Sequence, residues 1–196
     1  MELILVRHGL PLRREVVEGP ADPVLSPEGN DQSRRLANYL MGEGIAAIYS
    51  SPMKRAVQTA QPLAQATGLP ISIVDDVAEY DRLSNEYIPI EELRKAKDDR
   101  WQKLLAGGWE SDSDTLDSFR SRVVSSLEDL IGRHPSQRIV VFCHGGVINQ
   151  YLAHILGITT ERGFFYPQYA SIHRVAAARN GLRSILALNE IAHLRE

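Results

Sequence analysis

The sequence predicts an α/β fold: a three-layer α/β/α sandwich with a mostly parallel central sheet and a helical insert. Three observations lead to it. Apolar strand-length runs alternate along the chain with stretches of helical period. Two of those runs, Leu3-Ile4-Leu5-Val6 and Ile139-Val140-Val141-Phe142, read as buried strands. Each is followed within two residues by a histidine–glycine pair, His8-Gly9 and His144-Gly145. That is where open α/β sheets present their ligand sites, at the carboxyl ends of the strands.

The elements follow in order. After the first strand comes a polar loop rich in Pro and Arg, Leu10 to Leu25. Ser26-Pro27 opens a helix, with Ser as N-cap and Pro at the first helical position. Its apolar face is Leu36, Ala37, Leu40 and Met41, and Gly42 and Gly44 end it. Ile45 to Tyr49 is a second strand. Ser51-Pro52 repeats the Ser-Pro start for a helix carrying Ala56, Ala60, Leu63 and Ala64. Pro62 should kink or split that helix, and Gly68 stops it. Ile71 to Val74 is a third strand. The stretch from Glu79 to Asp117 differs: it is charged, holds Trp101 and Trp109, and has a helical middle from Ile90 to Leu105. So long an excursion reads either as a lid over a binding site or as a solvated decoration. A helix resumes near Asp117, burying Phe119, Val123, Leu127, Leu130 and Ile131; the strand before His144 follows, then a helix from Gly146 to Leu156. The chain closes on a hairpin, Ile172 to Ala178 and Ser184 to Leu188, around Asn180-Gly181, the preferred two-residue turn. The expected organisation is one domain, 1–196, with the insert around 80–115.

Composition narrows the function. Apolar residues make up 43% and charged residues 24%, an ordinary balance for a globular protein, and the net charge of −3 without a basic run argues against a general nucleic-acid binder. The first residues enter a strand directly, with no basic region, long apolar stretch or cleavage site, so no signal peptide is expected. No apolar run reaches the ~20 residues needed to span a bilayer. The lone cysteine, Cys143, excludes an internal disulfide framework and fits a cytoplasmic location.

The chemistry lies beyond the strand ends. Arg7 and His8 follow the first strand, Arg55 lies in the first turn of the helix after the second, Glu79 follows the third, and His144 follows the late one. Parallel neighbouring strands would bring all of them to one sheet edge. There the backbone N–H groups of the helix opening at Gly145-Gly146 add a positive dipole end, which makes Gly145 a candidate substrate-binding residue. Two arginines, two histidines, a helix N-terminus and a carboxylate can hold a phosphate dianion, attack it and protonate a leaving oxygen. Within Asp75-Asp76-Val77-Ala78-Glu79-Tyr80-Asp81, any of four carboxylates could be that acid. Arg13, Arg14 and Arg82 are candidates for reading a second anionic group, with Arg14 foremost.

These residues carry a resemblance. Leu5-Val6-Arg7-His8-Gly9 resembles the Arg-His-Gly signature of the histidine phosphatase superfamily, also called phosphoglycerate-mutase-like. Ser51-Pro52-Met53-Lys54-Arg55-Ala56-Val57-Gln58-Thr59-Ala60 is similar to its second signature and Cys143-His144-Gly145-Gly146-Val147-Ile148 to its third. Asp22 to Gly29 and Leu188 to Leu194 also resemble segments of its small phosphatase members. The resemblance implies that His8 is the nucleophile and becomes a phosphohistidine. It implies that Arg7, Arg55 and His144 hold the phosphoryl oxygens, and that Glu79 protonates the leaving group and then helps activate water. The cations at Arg7 and Arg55 should keep His8 neutral, and burial or bound phosphate should raise Glu79. With Arg7, Arg55 and His144 neutralising the phosphate, no metal and no cofactor is expected.

Rival readings are weaker. Cysteine phosphatases use Cys-x5-Arg, but the sixth residue after Cys143 is Asn149, so the thiol reads as strand packing. There is no P-loop and no His-Glu-x-x-His pair. Within the family the competitor is a phosphoglycerate mutase. Against it, the chain is shorter than typical cofactor-dependent mutases, lacks their Arg- and Pro-rich substrate segment, and has Leu10-Pro11 where they carry Glu after the signature Gly. A non-catalytic binding protein would have lost a motif position, and none is lost here. A phosphohistidine-protein phosphatase would lack the large insert, so the partner expected is a small phosphorylated molecule. The terminal hairpin supplies an edge through which a homodimer could form.

Overall fold

The computed structural model describes residues 1–99, 102, 114–158 and 163–195. Its strands are β1 (Glu2–Arg7), β2 (Arg14–Glu15), β3 (Ala47–Ser50), β4 (Ile71–Ile73), β5 (Glu86–Tyr87), β6 (Arg138–Cys143), β7 (Ile172–Ala177) and β8 (Arg183–Glu190). Its α-helices are α1 (Pro27–Leu40), α2 (Lys54–Thr67), α3 (Ile90–Ala96), α4 (Leu116–Arg133) and α5 (Gly145–Leu156). Six strands form one sheet in the order β4-β3-β6-β1-β7-β8. The neighbours β4, β3, β6 and β1 are parallel, whereas β7 and β8 continue the sheet as an antiparallel hairpin. A small second ribbon pairs β2 with β5.

The buried runs explain the layers. Side chains alternate faces along a strand. Leu3 and Leu5 of β1, with Ile139, Val141 and Cys143 of β6, pack on Val123, Leu127 and Leu130 of α4 and on Val147, Tyr151 and Leu152 of α5. Ile4, Val6, Val140 and Phe142 pack on the other side against Leu36, Ala37 and Leu40 of α1 and Ala60 and Leu63 of α2. Central parallel strands must be apolar at every position because both of their faces are covered. Cys143 belongs to this core, as its strand position implies, and burial pushes its thiol pKa upward. Among the described residues no helix is long and apolar enough to cross a membrane.

The helix ends show which local signals held. Ser26 caps α1, its Oγ accepting from Gly29 N–H at 3.0 Å, with Pro27 in the first turn. Thr115 caps α4 in the same way through Ser118 N–H at 3.1 Å. Gly68 and Gly157 close α2 and α5 in the left-handed conformation. Four expectations need correction. Met41 does not join the apolar face of α1: it is the C-cap and is exposed. Ser51-Pro52 does not open α2. The helix starts at Lys54, whose N–H is met by the Asp22 carboxylate at 3.0 Å, while Ser51 is turned into the interior. Pro62 does not split α2, which runs unbroken to Thr67. The final hairpin does not have a two-residue turn. Gly181 N–H bonds to Ala178 C=O, Ala178 N–H bonds to Leu182 C=O, and of the two turn residues only Gly181 has a positive φ. This is a three-residue loop ending in a left-handed glycine.

In the insert, α3 occupies the first part of the expected helix, and Lys97 with φ 53° follows its end. Residues 100, 101 and 103–113, including Trp101, Trp109 and the remainder of the expected helix, lie outside the described residues, apart from Gln102.

Candidate active site

The pairing of β1 with β6 sets the geometry. Arg7 lies opposite Cys143 in register, so the next residues, His8 and His144, emerge side by side. Their ring centroids are 5.1 Å apart, and His8 N–H bonds to Cys143 C=O at 3.0 Å. Both imidazoles are buried, as are Arg7, Arg55 and Glu79. All five catalytic candidates therefore converge on the carboxyl edge of the sheet, the position expected for a ligand site.

Each side chain is held by its own surroundings. His8 Nδ1 lies 2.8 Å from Gly9 C=O, and a carbonyl can only accept, so Nδ1 carries the proton. Nε2 is left as a bare lone pair and accepts from Arg55 Nε–H at 3.3 Å. Burial, then Arg55 and Arg7, hold the His8 pKa well below the ordinary imidazole value, so the ring is neutral. Arg55 also places Nη2 3.3 Å from Asp81 and its guanidinium 4.6 Å from the centre of the Tyr87 ring. Arg7 donates from Nη1 to Pro167 C=O at 2.6 Å and lies 3.8 Å from the centre of the Tyr169 ring. His144 Nε2 meets Ser51 Oγ at 2.8 Å, and burial, then Arg55 and His8, hold its pKa well below the ordinary value. Arg7 Nε, Arg55 Nη1 and His144 Nδ1 are buried with no partner among the described residues. Two of these atoms are obligate donors, and His144 Nδ1 donates in the tautomer whose Nε2 accepts from Ser51. Buried donors left unmade are costly, and the oxygens of an anion are the acceptors such groups take.

Glu79 lies against the first turn of α5. Its Oε2 accepts from Gly146 N–H at 2.8 Å, in the first turn of α5, and its Oε1 accepts from Tyr80 N–H at 2.9 Å. A Cβ on residue 146 would overlap Glu79 Oε1, so only glycine lets the carboxyl lie against the helix. Burial and the nearby Asp81 raise the Glu79 pKa, and they outweigh the two N–H bonds. Of the four carboxylates, Asp75 and Asp76 are exposed, Asp81 pairs with Arg55, and Glu79 is buried at the edge.

Gly145 is the first residue of α5 and lies beside Arg7. Arg14 is not brought into the cluster. It is exposed on β2, opposite Tyr87 in the small ribbon. Arg13 is paired with Glu15, and Arg82 with Asp114 at 3.1 Å, so neither stands ready for a second anion. The sequence analysis did not single out Tyr87, Tyr166 and Tyr169, the aromatic walls against Arg7 and Arg55, or Ser51 as the partner of His144. The tyrosines had one signal: Tyr166 and Tyr169 immediately precede β7, whose first residue adjoins the end of β1. Asn149 also gains a role. Its side-chain amide bonds Gly145 C=O and Phe164 N–H, tying the tyrosine-bearing loop to the first turn of α5. Beside Tyr166 and Tyr169 opens a cavity of about 420 Å³, also lined by Gln32, Glu91, Gln168 and Leu194.

A neutral histidine among unpaired cationic donors, with a protonatable carboxyl at the same edge of a parallel sheet, defines a class of phosphoryl-handling α/β proteins. The chain belongs to the histidine phosphatase superfamily (branch 1), whose family model matches residues 3–190. It is 32% identical over 207 residues to phosphoserine phosphatase 1 of Hydrogenobacter thermophilus, covering 100% of this chain and 95% of that one. It is 30% identical over 155 residues to phosphoglycerate mutase-like protein 4 of Arabidopsis thaliana, covering 75% and 67%. Among solved structures, phosphoserine phosphatase from Entamoeba histolytica in complex with 3-phosphoglyceric acid matches with a TM-score of 0.78 at 27% identity, covering 99% of both chains.

Proposed function

We propose that this protein is a phosphomonoester hydrolase that passes the phosphoryl group of a small phosphorylated metabolite through His8. The observation that carries the reading is the set of three buried, unpartnered nitrogens, on Arg7, Arg55 and His144, at the sheet edge where His8 presents the Nε2 lone pair of a neutral imidazole. When a phosphoryl group enters, Arg55 gives up its bond to Nε2 and turns to an oxygen, which frees the lone pair. Nε2 then bonds to phosphorus as the bond to the ester oxygen breaks, and Glu79 gives that oxygen its proton. In the second half-reaction the Glu79 carboxylate takes a proton from water, the water oxygen bonds to phosphorus, and the bond to Nε2 breaks. The arginines and His144 compensate charge on the equatorial oxygens throughout. The backbone N–H groups around Gly145 add to that field.

Hydrolysis is favoured over mutase transfer because the chain lacks the Arg- and Pro-rich substrate segment of the cofactor-dependent mutases and has Leu10-Pro11 where they carry Glu after the signature Gly. Arg14, exposed at the ribbon, is the remaining candidate for an anionic group on the substrate. The names of the relatives point to phosphoserine and to phosphoglycerates as the first compounds to try. In the same reading residues 1–196 form one domain and the 80–115 segment is a lid, docked through Tyr166 Oη–H to Glu91 and through Asp114 to Arg122 of α4. The site of action is cytoplasmic, with no nucleic-acid or membrane partner. Two copies pair along β8, the edge strand on which Leu186 and Leu188 are exposed.

The test is a screen of phosphorylated metabolites with His8→Ala as control. Release of inorganic phosphate, through a phosphoenzyme that survives alkali but not acid, is the expected result. Interconversion of phosphoglycerates without phosphate release would replace hydrolysis by mutase transfer, and an acid-stable phosphoenzyme would remove His8.

A further inference from the structure

The acid does not sit on a regular element. Glu79 lies just beyond the single 3-10 turn Asp75–Val77, in a stretch with no sheet ladder of its own. One side chain supplies what a ladder would. Arg122, on α4, donates from Nη1 to Asp76 C=O at 2.6 Å and to Ala78 C=O at 2.8 Å. Its Nη2 reaches Glu79 C=O at 3.5 Å and the Asp114 carboxylate at 2.9 Å. The Arg122 guanidinium also lies 4.7 Å from the centre of the Phe119 ring one turn earlier on α4, which fixes its plane. Asp114 is itself buried and takes a second cation, Arg82. One planar fork thus grips three carbonyls of the acid-bearing loop and the residue where the insert returns to the sandwich.

We infer that Arg122 is a positioning residue for Glu79 and that the Arg82–Asp114–Arg122 clamp sets the height of the acid over the sheet edge. The inference rests on the reading of Glu79 as proton donor. It assigns Arg122 no contact with substrate, since its bonds go to backbone carbonyls and Asp114. Lysine at 122 keeps the charge but has no planar fork, so it cannot hold the carbonyls in one plane.

Proton donation matters most when the departing oxygen is a poor leaving group. The experiment therefore measures first-turnover release of the alcohol from a series running from p-nitrophenyl phosphate to an alkyl phosphate, for wild type, Glu79→Gln, Arg122→Gln, Arg122→Lys and Asp114→Asn. Vanadate affinity of the Arg122 and Asp114 variants is measured alongside, as a check on the phosphoryl cradle, and should be unchanged. Glu79→Gln should slow alkyl phosphate on the order of 10²-fold or more and leave p-nitrophenyl phosphate much less affected. Arg122→Gln should reproduce this leaving-group dependence, with Arg122→Lys and Asp114→Asn intermediate. If Glu79→Gln shows no such dependence, Glu79 is not the acid and the inference falls with that reading. If Glu79→Gln shows it while the Arg122 and Asp114 variants stay at wild-type ratios, or slow every substrate equally, Glu79 stands and the positioning role is overturned. Should Arg122→Gln fail to fold, Asp114→Asn and Arg122→Lys decide the question.

Discussion

At His8, one hydrogen bond within a dipeptide decides the chemistry. The Gly9 carbonyl fixes the proton on Nδ1, and burial, with the neighbouring guanidinium groups, keeps the ring from gaining a second. Glu79 is displaced in the opposite direction, so the free protein holds a neutral nucleophile and a carboxyl inclined to keep its proton. This fixes the sign of the pH dependence. His8 titrates well below its ordinary range and contributes no loss of rate near pH 6.5. On the proposed mechanism, rising pH strips Glu79 of its proton and slows the first half-reaction. Alkyl phosphate turnover should therefore decline on the alkaline side through one ionisation that disappears in Glu79→Gln; a decline that persists in that variant would assign the ionisation elsewhere. Arg7, His8, Arg55 and His144 were legible because each follows a recognisable strand or lies one turn into a helix. Ser51 was misread because a Ser-Pro pair signals a helix start equally well whether its hydroxyl faces the helix or the interior.

Among the elements, the junctions between loops and helices are the tightest points. Gly9 faces Gly29 so closely that a Cβ on residue 9 would lie 2.7 Å from the Gly29 carbonyl oxygen, and a Cβ on residue 29 would overlap Leu10 C=O. The nucleophile-bearing turn is thereby pressed onto the first turn of α1, and Gly9 N–H is fixed by Thr59 Oγ1 at 2.9 Å from α2. Gly146 plays the matching part for Glu79. Two substitutions separate stability from chemistry. Gly29→Ala meets a backbone oxygen that cannot move alone and should cost several kcal/mol in denaturant unfolding, about the upper range for single substitutions. Gly146→Ala meets a side-chain carboxyl that can turn away, so it should fold and bind vanadate but lose alkyl phosphate turnover about 10²-fold. The reverse pattern would contradict this account. Strands and helices with strong period and a cap, such as β1, β6, α1 and α4, could be read directly from the residues. The three-residue turn at Arg179–Gly181 and the start of α2 could not, because both depend on partners outside the local segment: the twist of the β7–β8 pair and Asp22.

Over the whole molecule, the buried histidines set the response to acid. His8 and His144 are held well below the ordinary imidazole pKa by burial and the arginines, His173 is lowered to about 4 chiefly by burial, and His193 is lowered as well. The unfolded chain would protonate all four near pH 6.5. Between that value and their lower folded values the unfolded state binds more protons, so stability falls as pH falls, by about 1.4 kcal/mol per pH unit for each fully depressed ring. Glu79 has the opposite sign: its contribution is present at low pH and is lost as pH rises through its raised value. The histidines outnumber it. Calorimetry should show a lower Tm at pH 5.5 than at pH 7.5, with inorganic phosphate raising Tm at both by binding the folded state. A Tm unchanged over that interval would mean that these rings are not depressed as a group. The tertiary pattern behind this response was the least legible part of the sequence, since burial of His173 depends on the β7–β8 hairpin pairing with β1.

The bond from His8 Nδ1 to the carbonyl of its own neighbour carries one more consequence. The reactive tautomer is prescribed inside two consecutive residues, and the anion cradle is built from strand ends and helix starts. The tautomer itself draws on no residue of the 80–115 segment or of the tyrosine loop before β7. Such a layout lets a lineage rewrite those loops while the proton on Nδ1 stays where it is.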